Sequence, residues 1–211
     1  MSRPMDLGLR QVSNLLVKMG RLSIKALKVA LDGFFEGEDA FVQASALSNT
    51  LLILSEEVED KATELMALYQ PMATDLRLLK AYLKVAYDLE RFGRYAMDIS
   101  DIGNGIGTWE PVEEDESFRE MGRKAVESIE ISVKLIETMD EQVIWDLSRV
   151  ESEIDTLYLE NLKKLAEIQG DSRTVIAYML TVRYLERIAD HASYISESIG
   201  YALTGKRFMI R

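Results

Sequence analysis

The sequence predicts an all-α protein made of two pseudo-symmetric three-helix bundles, six long antiparallel helices in all. Three observations lead there. Apolar residues recur at helical spacing, only three prolines interrupt 211 residues, and the second half of the chain echoes the first. Strand-like alternation bounded by turn signals is hard to find anywhere.

The first helix is expected near 5–35, where Leu16, Met19, Leu27, Leu31 and Phe34 share one broad face. The second falls near 38–69. The third, near 72–103, has Pro71 at its start, where a missing N–H costs little. The stretch "DIGNGIGTWEP" follows, and its glycines 103, 105 and 107 cannot extend a stable helix. It is read as the boundary or hinge between a first repeat, 1–105, and a second, 106–211. The remaining helices are expected near 112–139, 141–168 and 171–204, with Pro111 and Asp171 at helix starts. In the last, Val175, Met179, Val182, Leu185 and Ile188 are the expected core face. Long helices joined by short loops pack antiparallel, so each repeat forms a three-helix bundle and a pseudo-twofold axis relates the two.

The repeat is explicit in the residues. Residues 75–100 laid over 171–196 without a gap give ten identical pairs in 26, among them Asp75/Asp171, Arg77/Arg173, Glu90/Glu186 and Arg91/Arg187. A second echo, "MGR" at Met19 and again at Met121, lies at an offset of 102, so the second half is about six residues shorter between its two echoes.

Composition narrows the chemistry. With 47% hydrophobic residues the chain can bury a real core. No run of 18 apolar residues occurs and the start lacks a basic-then-apolar leader, so a cytoplasmic location is expected. The absence of cysteine removes disulfides, thiolate metal sites and thiol catalysis, and a single histidine removes most triads. A net charge of −11 repels phosphate backbones, so nucleic acid is not an expected partner. "GYALTGKR" mimics a phosphate-binding loop, but Arg207 stands where Ser or Thr should be and no strand precedes it. It reads as a helix ending in a glycine cap.

Carboxylates at helical spacing remain. Glu186 and Asp190 lie one turn apart, and Glu197, eleven residues beyond Glu186, returns close to their face. Glu151 and Asp155 form a comparable pair on the preceding helix. If those two helices are neighbours, four carboxylates meet in a cluster that needs protonation, exposure or a cation. Magnesium, manganese, calcium or iron suit such oxygens better than zinc does. Acidic pairs four apart also arise by chance in so acidic a chain, and Arg183 and Arg187 offer ordinary helical ion pairs. His191, beside Asp190, reads either as a structural hydrogen-bonding group or as a ligand.

The combination of "QPMATDLR" (70–77), "DLERFG" (88–93) and "YLERIADHASYISE" (184–197) on two three-helix repeats resembles the PhoU family of phosphate-signalling proteins, with "GDSRT" at Gly170 as the shorter second-half counterpart of the first motif. The resemblance implies a cytoplasmic, non-enzymatic regulator that helps shut down high-affinity phosphate uptake and signalling when phosphate is plentiful. Its partners would be a phosphate ABC transporter and a sensor kinase, with membrane contact only through them, and a homodimer is suggested. Family members carry E(D)xxxD pairs on the second and third helices of each repeat that bind iron, magnesium or manganese. Carried over, the ligands are Glu151, Asp155, Glu186 and Asp190. The first repeat departs from this pattern: Glu90 is in place, but Arg94 stands where the second repeat has Asp190, Asn49 is at best a remnant, and Glu56, Glu59 and Asp60 are out of register. One site is expected, in the second repeat only. Two alternatives stay open. One is a metal-free helical scaffold. The other is a carboxylate-bridged di-metal enzyme, which normally needs Glu-x-x-His, whereas Ile188 stands three residues before His191.

Overall fold

The computed structural model describes residues 3–112, 115–169 and 171–207; Gly170, which opens the second-half "GDSRT", lies outside them. Among the described residues there are seven helices: α1 (Pro4–Glu36), α2 (Phe41–Tyr69), α3 (Thr74–Ser100), a short α4 (Ile102–Ile106), α5 (Glu116–Thr138), α6 (Gln142–Glu167) and α7 (Ser172–Thr204). No strand occurs among the described residues.

Local chemistry sets the ends. Pro4 opens α1 at a position whose N–H would be orphaned anyway, and Asp6 accepts from the backbone N–H of Arg3 at 3.0 Å. Asp171 caps α7 by accepting from Arg173 N. Gly37 and Gly205 close α1 and α7 in the left-handed conformation. Two expected starts are wrong. Pro71 does not begin α3, because Gln70 (φ 45°) and Ala73 (φ 50°) hold a turn that delays the helix to Thr74. Pro111 likewise precedes α5 by several residues, which begins at Glu116.

The glycine segment also differs from a free hinge. Gly103 and Gly105 sit within the single helical turn of α4, and the expected repeat boundary at 105/106 falls inside it. The chain after it is fastened to the core. Trp109 packs on Phe34 with ring centroids 5.3 Å apart, Val112 N–H donates to the Tyr178 hydroxyl, and Thr174 Oγ1 donates to the Glu110 carbonyl. The buried Tyr178 ring, edge-on to Phe34 and Phe118, anchors this cluster.

α1, α2 and α3 pack on one another, as do α5, α6 and α7, and the two sets meet through α1 on α5 and α3 on α7. Equivalent helices therefore face each other, as a pseudo-twofold axis requires. At the α1–α5 crossing Gly20 packs on Val133 and Gly122 on Leu31. Both glycines and both apolar partners are related by the repeat offset of 102, so this is one contact made twice. A single apolar core runs through both halves. Leu16, Met19, Leu27, Leu31 and Phe34 enter it as expected. The α7 face is rotated from expectation: Met179 is exposed, and Thr174, Ala177, Tyr178 and Thr181 take the inward positions with Val182, Leu185 and Ile188. The reason is that α7 packs against both α6 and α3, so its buried arc is wider than one stripe of large apolar residues reveals.

Candidate functional site

Helices α6 and α7 are joined by a short connection and pack side by side, which brings their acidic pairs to a common seam. Glu151 is buried on α6, and Asp155, one turn on, is exposed. On α7, Glu186 and Asp190 are partly buried. Burial pushes the Glu186 carboxyl above its ordinary range, and the charges of Asp190 and Asp155 push it further, against the pull of Arg183 and Arg187. Asp155 of one helix and Glu186 and Asp190 of the other thus form a mutually repelling acidic patch.

The donor types suit a hard cation, but the present placement does not close a site. Among the described residues, no three acidic or histidine side chains converge closely enough to hold a metal ion. Glu186 is turned to Arg183, whose Nη1 donates to it at 2.9 Å. In the first repeat Arg94, at the position equivalent to Asp190, pairs with Asp98 at 3.4 Å on its own helix. Glu56, Glu59 and Asp60 lie on a solvated face, as expected.

His191 points away from the α6 acids. One helical step from Asp190 turns a side chain by about 100°, and that step carries His191 into the α3 seam, where it is 4% exposed. Its Nδ1 lies 2.8 Å from Asp88 Oδ1 and its Nε2 3.3 Å from the Tyr95 hydroxyl. Tyr95 and His191 occupy equivalent positions of the two repeats, 96 residues apart. The counterpart of the Asp88–His191 contact across the axis is the stacked pair Tyr184–Tyr95, centroids 5.9 Å apart. Arg91 and Arg187, themselves equivalent, both reach Tyr95, the first over its ring and the second toward its hydroxyl at 3.5 Å. Burial raises the Asp88 carboxyl above its ordinary range, opposed first by the hydrogen bond from His191. Sequence reading missed Asp88 as a functional position. The available signal was the motif itself, since Asp88 opens "DLERFG" and its repeat equivalent is Tyr184. Glu197 is not on the α6 side either; it lines a groove on α3.

An all-helical pair of three-helix repeats, joined through their equivalent helices and carrying an acidic pair on each helix of the second repeat's outer seam, defines the class of protein. A profile of the PhoU domain matches residues 16–103 and again 118–199, and the chain belongs to that family. A phosphate-specific transport system accessory protein PhoU homolog of Synechocystis is 27% identical over 203 residues, 94% of this chain and 91% of that one. One of the same description from Caulobacter vibrioides is 34% identical over 164 residues, 72% of this chain and 69% of its own. The fold is that of the PhoU crystal structure from Pseudomonas aeruginosa, with a TM-score of 0.87 at 23% identity over 95% of this chain and 99% of that one. It is also that of the phosphate transport system regulatory protein PhoU from Streptococcus pneumoniae, with a TM-score of 0.89 at 20% identity over 97% and 99%.

Proposed function

We propose that this chain is a cytoplasmic, non-enzymatic accessory protein that restrains phosphate uptake by acting on a phosphate ABC transporter and on a sensor kinase coupled to it. The observation that carries the reading is the match of both halves to the PhoU domain, together with relatives described as accessory proteins of phosphate-specific transport. No helix among the described residues is long and apolar enough to cross a membrane, which agrees with contact through partners. The division into repeats 1–105 and 106–211 belongs to the same proposal. In a bacterial host deleted for its own protein of this family, the chain should restore repression of phosphate uptake in phosphate-rich medium. Uptake that stays derepressed while the chain accumulates folded would overturn the role.

The finer part of the proposal is a cation held by Glu151, Asp155, Glu186 and Asp190, with iron, manganese or magnesium as candidates. Hard oxygens and a carboxyl under repulsion support it; closing it requires Glu186 to leave Arg183. Metal content by plasma mass spectrometry, wild type beside Glu186→Ala/Asp190→Ala, decides the matter: ion retained by the first and lost by the second supports the site, and no ion in either removes it. The Arg183–Glu186 pair favours the second reading, a metal-free scaffold. The di-metal enzyme reading loses its histidine, which is engaged with Asp88 and Tyr95.

A further inference from the structure

Where α3 and α7 run past each other beyond the Asp88–His191 contact, the seam opens into a groove of about 690 Å³, in the size range of small-molecule sites. α3 lines it with Lys80, Lys84 and Tyr87, spaced so that they share one stripe of the helix. α7 lines it with Tyr194 and Tyr201, and Arg207 follows the end of that helix. Three cations thus gather on one groove of a chain whose net charge is −11, against two carboxylates, Asp88 held by His191 and Glu197. The phenol rings line the same space. Tyr87 is 54% exposed, and the His191 imidazole stands between it and Tyr194, with ring centroids 6.2 and 5.4 Å away.

The fold does not demand this chemistry. Across the pseudo-twofold axis the positions equivalent to Lys80 and Lys84 are Ile176 and Leu180, the position equivalent to Tyr87 is Arg183, and that of Tyr201 is Gly105. The same two helices therefore build a groove lined by lysines and phenol rings on one side of the axis and a different surface on the other. Cations hold an oxyanion by charge-assisted hydrogen bonds, phenol rings stack on a flat ring, and Glu197 adds an acceptor for hydroxyl or amino groups.

We propose that this groove binds a phosphorylated small molecule that carries a planar ring, of the nucleotide class, and that its occupant bridges the two repeats. The site is separate from the α6–α7 acids and does not depend on a metal there. Titration calorimetry of the intact chain in EDTA, with ADP, adenosine and inorganic phosphate as probes, tests it. ADP binds saturably at one per chain, and adenosine and phosphate each bind at least about tenfold more weakly, as expected when either the charge-assisted or the stacking contacts are lost. Lys80→Ala/Lys84→Ala lowers ADP affinity by at least about tenfold, Tyr201→Ala lowers it too, and Lys163→Ala on α6 leaves it unchanged. Lys80, Lys84 and Lys163 are exposed, so the lysine variants keep the fold and carry the test, while Tyr201 is half-buried and its variant is read only where circular dichroism shows it folded. Absence of saturable ADP binding, ADP binding indifferent to the lysine pair, or inorganic phosphate binding as tightly as ADP would each overturn the proposal.

Discussion

Removing the His191 imidazole is the most informative perturbation of the joint between the repeats. Asp88 is 5% exposed and its Oδ1 receives the 2.8 Å contact from His191 Nδ1. His191→Ala takes away that partner and leaves a carboxylate in the α3–α7 seam that already carries a desolvation burden. Leaving a buried carboxylate without its hydrogen-bond partner costs about 3 kcal/mol or more, above the range for a neutral group. Asp88→Ala is milder, about 1–3 kcal/mol, because the imidazole keeps the Tyr95 hydroxyl on Nε2. Replacing both, as Asp88→Leu/His191→Leu, removes the desolvated polar groups together, so the double variant should cost less than His191→Ala alone. Urea unfolding followed by circular dichroism reads these differences from the midpoints at constant slope. The reasoning fails if His191→Ala costs under about 1 kcal/mol, or if the Asp88→Ala and His191→Ala losses add without coupling in their double variant.

Other perturbations probe the packing and the acidic patch. A Cβ at Gly20 would lie well inside contact distance of the stiff, β-branched Val133, whereas one at Gly122 would lie 3.2 Å from Leu31 Cδ1 at the end of a flexible side chain. Gly20→Ala should therefore destabilise by about 1–3 kcal/mol and be rescued by Val133→Ala, while Gly122→Ala should be neutral or gain part of the roughly 1 kcal/mol of helix propensity; equal effects in thermal melts would contradict this. Glu186 has its carboxyl raised by burial and by Asp190, so its contribution to stability is full below the ordinary glutamate value and is lost as the pH rises past it. Glu186→Gln should thus match wild type in acid and become the more stable of the two toward neutrality, a gap that chemical denaturation at several pH values will show or deny. Ala73 holds φ 50° and ψ −113° at the start of α3; Ala73→Gly should stabilise by about 1 kcal/mol, released strain exceeding the added chain entropy, and a loss of melting temperature would show that the turn is not strained.

Much of the architecture was legible because it is written locally. Helical periodicity, the scarcity of proline and the repeats at 96 and 102 residues suffice for six long helices and a pseudo-twofold arrangement, and the acidic pairs at 151/155 and 186/190 follow from i, i+4 spacing. The helix starts after Pro71 and Pro111 were less legible. Proline marks a tolerated first position but does not require one, and the left-handed residues Gln70 and Ala73 intervene. Met179 was misplaced because periodicity registers large apolar side chains, while α7 buries small and polar ones such as Ala177 and Thr181 against two neighbours.

What the sequence by itself determined is angular: which residues share a face of one helix. Which face meets which partner was decided only by the tertiary structure. Eleven residues forward along α3, from Arg77 to Asp88, correspond to eleven back along α7, from Ala202 to His191. That antiparallel register brings together groups 103 residues apart, and it turns His191 toward Asp88 while its neighbour Asp190 acts on Glu186. No spacing within a single helix encodes that choice, because adjacent residues about 100° apart always look to different neighbours, and the neighbours are supplied by packing.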